Sequence, residues 1–466
     1  MKMRFPGFVG TFCALFLAGG TAHTENLLDI YELAMMNDPL IREADANRLA
    51  TREARPQALS ALLPQLNLTG TRSDRDSDGT NAFFDFTTGS QRSIPQQSES
   101  DSDSFSLQLV QTLFRWDQWI GLQQSQKVLA RAEADYAAAR QDLMLRASQR
   151  YFDVLSAQDG LESEQSSREA IARQLEQAQK RFEVGLIAIT DVQEAQAAFD
   201  QAVAADIAAR RLLATAKENL REITGVYVDK LQRPAPEMEL VPPSPADPEA
   251  WVREAMDQNL ALVASRLGAD IARDEIRSRR AGHLPTLDLV ASRNEFDQTS
   301  LQVNPDPVTS LPVTSTSDTD QTTDTISLQF SLPLFSGGFT SSRVREAVYL
   351  HRASKEQVER IARQTERETR DSYLGVISEI SRVKALKQAL LSSQTALEAT
   401  EAGFDVGTRT TVDVLAARRA LITARTNYLR ARYDYIMNVM RLKLAAGTLS
   451  ADDIENFNRW MTDPAG

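Results

Sequence analysis

Four short stretches of the chain alternate apolar and polar residues with a period of two. Leu66, Leu68 and Gly70 alternate with Gln65, Asn67, Thr69 and Thr71, and Phe105, Leu107 and Leu109 alternate with Ser104, Ser106 and Gln108. Ile326, Leu328, Phe330 and Leu332 alternate with Ser327, Gln329 and Ser331; Leu287, Leu289 and Ala291 alternate with Asp288 and Ser292, where Val290 blurs the pattern. Such alternation marks a strand with two unlike faces. Each stretch runs for about ten residues, enough for a tilted strand to cross a bilayer, and an apolar face backed by a polar one suits a barrel with a wet lumen. Residues 73–103 and 294–324 are rich in Ser, Thr, Asp and Asn. They predict long polar loops on one side of the membrane, with disordered surface insertions as the alternative.

The rest of the pattern is helical. A first helix is predicted over residues 27–55, ending before Pro56, with a counterpart over 249–280. Long helices are predicted over 117–183 and 340–405, with no proline inside either. Each would extend roughly 100 Å, far beyond a globular helix. A short turn and a further helix follow each of them. The apolar stripes are narrow and alanine is frequent, as in Ala137, Ala138, Ala139, Ala197, Ala198, Ala204 and Ala205. Small residues on a narrow stripe let helices pack closely along a seam. Taken alone, these helices favour an alanine-rich coiled coil without a pore; the strands move the balance towards a membrane channel.

The chain also repeats itself. Leu63-Pro64-Gln65-Leu66-Asn67-Leu68 matches Leu284-Pro285-Thr286-Leu287-Asp288-Leu289, and Phe182-Glu183-Val184-Gly185 matches Phe404-Asp405-Val406-Gly407, all at an offset of about 221 residues. One unit has been duplicated in order. The expected organisation is a signal peptide (1–24), a first repeat (25–226), a Pro-rich linker (227–247), a second repeat (248–446) and a C-terminal tail (447–466). Single-chain outer-membrane barrels begin at about eight strands, and an open sheet edge is not tolerated in lipid. One chain offers about half that number, so membrane-spanning strands require several subunits to pool them.

The N-terminus supports export. Lys2 and Arg4 precede an apolar run from Phe8 to Ala18, and small residues follow at Gly19, Gly20, Thr21 and Ala22. That order is a secretory signal, with cleavage near Ala22 or Thr24 and a mature start close to Glu25. The run is too short for a membrane anchor, which needs ~20 apolar residues. Cys13, inside this segment, is the only cysteine of 466 residues, so the mature chain has no disulfide and no thiolate metal site. The formal net charge of −12 argues against a nucleic-acid partner. His23, His283 and His351 are far apart in sequence, and no zinc-protease, phosphate-loop or nucleophile-elbow motif occurs. An enzyme is therefore not expected, nor is a cofactor or a metal.

The chain resembles the TolC family of outer-membrane efflux channels over essentially its whole mature length. The resemblance rests on Glu25-Asn26-Leu27, on Leu62-Leu63-Pro64-Gln65-Leu66, on Arg181-Phe182-Glu183-Val184-Gly185-Leu186-Ile187-Ala188-Ile189-Thr190-Asp191-Val192 and on Val406-Gly407-Thr408-Arg409-Thr410-Thr411-Val412-Asp413-Val414-Leu415. The resemblance implies a mainly α fold with a membrane β-barrel portion, and a homotrimer whose twelve-stranded barrel is continuous with an α-helical barrel in the periplasm. It implies a place in the outer membrane in contact with lipid, and two partners, a periplasmic adaptor (membrane fusion protein) and an inner-membrane transporter. The cargo would be small molecules, proteins or both. It also implies an entrance gate at Thr190 and Asp191 in the first repeat and at Phe404, Arg409, Asp413 and Ala416 in the second. Phe404 stands where a tyrosine hydroxyl helps tie the closed gate, and Ala416 stands where a second aspartate lines the constriction. Arg409 and Asp191 would pair between neighbouring hairpins.

The same turns have a simpler reading. Gly185 and Gly407 fall where a helix C-terminal glycine belongs, and Thr190 with Gln193, like Thr410 with Asp413, fits a helix N-cap. The two roles are compatible, since a capped turn at the end of a tube can also narrow it. The rival class is a periplasmic coiled-coil scaffold or adaptor protein, which would not need paired strands with unlike faces.

Overall fold

A computed structural model describes residues 24–85, 89–235, 238–305 and 312–462. The predicted signal peptide and its cleavage site lie almost wholly outside the described residues. The elements run α1 (Leu27–Asn37), α2 (Pro39–Arg52), α3 (Ala54–Ser60), β1 (Gln65–Asp85), β2 (Ser90–Phe114), α4 (Trp116–Glu183) and α5 (Ile189–Thr224). A short β3 (Arg233–Pro234) precedes α6 (Pro248–Gln258), α7 (Leu260–Ala281), β4 (Thr286–Pro305), β5 (Pro312–Ser331), α8 (Phe339–Asp405) and α9 (Thr411–Ala446). The chain closes with α10 (Ala451–Asn458) and β6 (Met461–Thr462). These elements form two compact units. One contains residues up to Glu43, Ala138–Asn259 and Thr365 onwards; the other contains Ala44–Ala137 and Leu260–Gln364.

The second unit holds an antiparallel sheet in the order β1-β2-β4-β5. Leu66 pairs with Leu109, Leu68 with Leu107 and Gly70 with Phe105, while Ala291 pairs with Ile326 and Leu287 with Phe330. The Phe105 ring leans over Gly70, where a Cβ would meet it at 3.2 Å. The apolar face is unburied: Leu68 is 72% exposed, Ile326 80% and Phe330 64%. An apolar sheet face of this kind needs lipid or another chain against it.

The strands are twice as long as expected. Residues 73–103 and 294–324 are not loops over most of their length. Arg72 pairs with Asp103, Asp74 with Asp101 and Asp76 with Glu99, and on the other side Asp297 pairs with Asp320 and Thr299 with Asp318. The face that carries Leu66 and Leu68 continues as Arg72, Asp74, Asp76 and Asp78. A backbone ladder satisfies its own N–H and C=O groups whatever the side chains are, so a polar ribbon can extend beyond the apolar band. The band alone, about nine residues from Leu63 to Thr71, suffices to cross the membrane at a steep tilt.

Each predicted first helix is broken. Asp38 (φ −64°, ψ 121°) separates α1 from α2, and Asn259 (φ −60°, ψ 118°) separates α6 from α7. Pro39 has no N–H and forces the residue before it out of the helical region. Asp38 caps the new start by accepting from the Leu40 N–H at 3.1 Å, and Arg146 pairs with its buried carboxylate at 2.7 Å. Asn259 lacks a following proline and is held by its side chain, which donates to the Ala445 carbonyl at 3.0 Å. Pro56 does not stop a helix; it sits inside the first turn of α3, where its missing N–H costs nothing.

The long helices match expectation closely. In α5 the buried stripe is mostly alanine, at Ala195, Ala198, Ala202, Ala209 and Ala216. Asp206 interrupts it, 3% exposed, and is paired with Arg168 of α4 at 2.8 Å and with Arg210 at 3.1 Å. A buried carboxylate is tolerated only when paired, so these contacts fix the register of α4 against α5. In the other unit Lys127 of α4 and Asp274 of α7 form a similar pair at 2.5 Å. Among the described residues no helix is long and apolar enough to cross a membrane.

Around the segment joining the repeats lies an aromatic core. Phe152 stacks on Tyr433 at 5.4 Å, and the Tyr433 hydroxyl donates to Asp159 at 2.5 Å. Burial pushes the Asp159 carboxyl above its ordinary range, opposed by the Tyr433 hydrogen bond and by Arg233. Tyr151 donates to the Gln232 carbonyl and Arg432 to the Pro234 carbonyl, and β3 pairs with β6.

Candidate functional site

The two turns that close the helical hairpins, α4 to α5 and α8 to α9, are built alike at their start. At the first, Gly185 has φ +77° and its N–H donates to the Phe182 carbonyl at 2.8 Å, while the Leu186 N–H donates to Arg181 at 2.8 Å. At the second, Gly407 has φ +79° and the Thr408 N–H donates to the Gly403 carbonyl at 2.8 Å. These are left-handed C-terminal caps, and glycine relieves the strain of the positive φ.

The second halves of the turns differ. Thr410 caps α9 as expected: the Asp413 N–H donates to its hydroxyl at 3.2 Å, and the Thr410 N–H donates to the Asp413 carboxylate at 2.9 Å. These hydrogen bonds, with the nearby Arg409, hold the Asp413 carboxyl below its ordinary range. Thr190 does not cap α5. The helix begins at Ile189, Ala188 stands in the extended capping position, and the Asp191 carboxylate accepts from the Ala188 N–H at 3.3 Å. The aspartate at the third helical position returns to the N–H of the capping residue, and the helix starts two residues earlier than a Thr190 cap would place it.

The tip of the first hairpin has an apolar core. Leu175, Ala178 and Ala195 are buried together, with Ile187, Val192 and Phe199 against them. Slightly further along, Leu415 of α9 joins Ile171, Ala198 and Ala202 and links the two hairpins. Beyond Leu415 the links are polar. Arg419 donates to Gln201 of α5 at 2.8 Å, while Arg418 pairs with Glu401 within the second hairpin. The Arg181 guanidinium lies over the Phe404 ring, 4.8 Å from its centroid. So the ring at position 404 is tied by a cation on α4 rather than through a hydroxyl.

Arg409 lies across the end of α8. A Cβ at Gly403 would stand 2.8 Å from the Arg409 Cγ, so only glycine leaves room for it there. Neither Gly403 nor Arg181 was singled out by the sequence as part of the site; only the fold shows them beside Arg409 and Phe404. Within the chain, among the described residues, Arg409 makes no ion pair with Asp191. Ala416 is exposed on the first turns of α9, as are the apolar residues Val184, Leu186, Ile189, Val406 and Val412 around both turns.

The sequence profile described as "Outer membrane efflux protein" matches residues 30–226 and 251–448. The chain is 38% identical to outer membrane protein TolC of Vibrio cholerae over 98% of each chain. It is 29% identical to the alkaline protease secretion protein AprF of Pseudomonas aeruginosa, over 98% of this chain and 91% of that one. The crystal structure of the Campylobacter jejuni CmeC outer membrane channel superposes with a TM-score of 0.74 at 16% identity, covering 99% of this chain and 98% of that one, which shows the shared fold. A fold of long helical hairpins with an apolar-faced sheet, a full-length relative and a family profile that matches twice agree, and the chain belongs to the outer membrane efflux protein family, a family of outer-membrane channels.

Proposed function

We propose that three copies of the chain pool their four-stranded sheets into one twelve-stranded barrel, and that the α4–α5 and α8–α9 hairpins form a helical conduit reaching into the periplasm. The observation that carries this reading is the sheet itself: four strands, an unburied apolar face, and β1 and β5 as its two outer strands. An outer strand left unpaired in lipid would leave its backbone groups unsatisfied at several kcal/mol each, and pairing β1 with β5 of the next copy removes the edge. A coiled-coil scaffold would have no use for such a sheet. The profile match in two stretches, 30–226 and 251–448, supports two repeats either side of the Pro-rich linker.

The product of this architecture is a passage, not a reaction. The energy comes from an inner-membrane transporter, and a periplasmic adaptor joins the two. The exposed apolar residues Val184, Leu186, Val406 and Val412 at the helical turns are a fitting surface for such partners. The name of AprF associates that relative with protease secretion, which supports protein cargo here; small molecules are the second class of cargo.

The turns are the entrance gate. Asp413, Arg409, Asp191, Thr190 and Phe404 surround it, with Gly185 and Gly407 shaping the backbone. Three copies would place three Asp413 carboxylates around the axis, and Arg409 would meet Asp191 of a neighbouring hairpin. Arg409→Glu is expected to raise single-channel conductance in a planar bilayer severalfold, because repulsion from Asp191 replaces attraction. Unchanged conductance and gating would remove the pairing. Asp413→Ala is expected to weaken block by multivalent cations about tenfold through loss of a focused negative field. The Asp413 carboxyl is held below its ordinary range by the Thr410 hydrogen bonds, so the block should persist through the acid range in which an ordinary aspartate protonates and be lost only below it. Equal block in variant and parent would show that the carboxylate does not face the pore.

A further inference from the structure

We infer that Arg75 sets the charge preference of the outer part of the passage and favours anions there, opposite in sign to the Asp413 carboxylates of the gate; this rests on the barrel proposed above. The four strands sort their charges between the two faces of the sheet. One face carries Leu66, Leu68, Leu107 and Ile326 and continues outward as a crowd of carboxylates, among them Asp74, Asp76, Asp101, Asp297 and Asp320. On that face Arg72 and Arg293 are the cations, and both are paired, with Asp103 at 3.7 Å and with Glu295 at 3.0 Å. The opposite face is almost free of charge. Over the rows from Gln65 to Ser77 it holds Ser, Thr, Asn and Gln, with Val110, Val290 and Phe296 as apolar exceptions and Arg75 as the single charged residue. The row of Arg75 is completed by Ser100, Ser300 and Ser317.

Two observations put the hydroxyl and amide face on the inside. It lies opposite the apolar band, which needs lipid against it. It is also the more sheltered face of the two central strands. From Gln96 to Leu107 on β2 and from Arg293 to Ser300 on β4, its residues are half-buried and those of the other face are exposed, with Asp103 as the exception. Side chains converge and shield one another on the concave side of a curved sheet. There Ser106 donates to Asn294 at 2.6 Å and Gln298 to Ser100 at 2.8 Å. Arg75 is exposed on β1, and among the described residues its side chain has no ion pair or hydrogen bond. Its guanidinium keeps its charge throughout the physiological range.

Distances decide which charges the passage feels. With strands ~4.8 Å apart and tilted by about 40°, a twelve-stranded barrel keeps its backbone ~12 Å from the axis. An extended arginine pointing inward then brings its charge to ~7 Å from the axis, while carboxylates on the outer face stand ~17 Å away behind the wall. At about 0.15 M salt, screening acts over ~8 Å. The arginines lie within one such length and the carboxylates two lengths off, so the arginines prevail although the carboxylates outnumber them. One Arg75 from each of three copies should enrich a monovalent anion on the axis about threefold.

The test is the chloride-to-potassium permeability ratio of single channels in a planar bilayer, read from the reversal potential under a potassium chloride gradient centred at about 0.15 M. Arg75→Gln should lower the ratio about twofold and Arg75→Glu further, while Arg75→Lys keeps the parent value. Asp74→Asn changes the neighbouring residue on the other face and should leave the ratio as it is. At about 1 M salt, where screening acts over ~3 Å, parent and Arg75 variants should agree. An unchanged ratio in both Arg75→Gln and Arg75→Glu would overturn the assignment, and so would a change of equal size in Asp74→Asn, since the faces would then be reversed. A difference that persists at high salt would overturn it as well, because it would report pore shape rather than charge. A parent that conducts with a ratio insensitive to residue 75 leaves the barrel standing without the arginine ring; a parent that forms no channel removes both.

Discussion

Gly447→Ala is expected to leave little folded channel. Gly447 ends α9 with φ +79°, a conformation that costs an L-residue about 1–2 kcal/mol. Strain is the smaller part. A Cβ at Gly447 would overlap the Gln258 carbonyl and stand 2.7 Å from the Asn259 nitrogen. These are backbone atoms at the break between α6 and α7, and they have no rotamer with which to yield. The combined cost should exceed about 3 kcal/mol. The related glycines give a graded control. Gly225 ends α5 with φ +74° against the side chain of Asn37, whose Cβ lies 3.2 Å from the added carbon, so Gly225→Ala should cost less. Gly185 and Gly407 have open space around them and should cost only the strain. Thermal unfolding of the four variants should rank them in that order. A Gly447→Ala protein that melts like Gly407→Ala would contradict the packing at this break.

Leu328→Arg should abolish stable insertion. Leu328 is 62% exposed on the apolar face, between Leu289 on β4 and the outer edge of the sheet. An arginine on the lipid face of a barrel costs about 2–4 kcal/mol near the midplane, and an oligomer carries it once in every chain. The neighbouring Ser327→Arg points to the opposite face, where water is expected, and should leave assembly intact while changing conductance. Outer-membrane fractionation and the heat-resistant oligomer on a gel read both variants. Equal assembly of the two would mean that the faces have been assigned the wrong way round.

Much of this architecture is legible in the sequence because it is periodic. The long helices begin at Trp116 and Phe339 and end at Glu183 and Asp405, close to the ends set by the apolar stripe and by Gly185 and Gly407. Thr410 with Asp413 was readable as a cap because both partners lie within one turn. What was not legible has physical reasons. From Thr71 to Asn81 both strand faces are polar or glycine, so the alternation that marks a strand vanishes although the ladder continues to Asp85. The break at Asn259 has no proline to announce it and depends on the Ala445 carbonyl, 186 residues away. At the first turn Thr190 resembled the better cap, yet Asp191 one residue later decides the helix start through a charge. The stacking of Arg181 on Phe404 joins positions more than two hundred residues apart and leaves no local trace.

The central claim is that the open edges of one sheet are closed by other copies of the same chain. Cysteines can be introduced in pairs, one on β1 between Leu66 and Thr71 and one on β5 between Thr325 and Gln329, because the chain's only cysteine, Cys13, lies within the predicted signal peptide. Oxidation of such pairs in the outer membrane should produce a ladder that ends at covalently closed trimers, with at least one register giving near-complete conversion. Cross-linking confined to single chains, with β1 bonded to its own β5, would contradict the account.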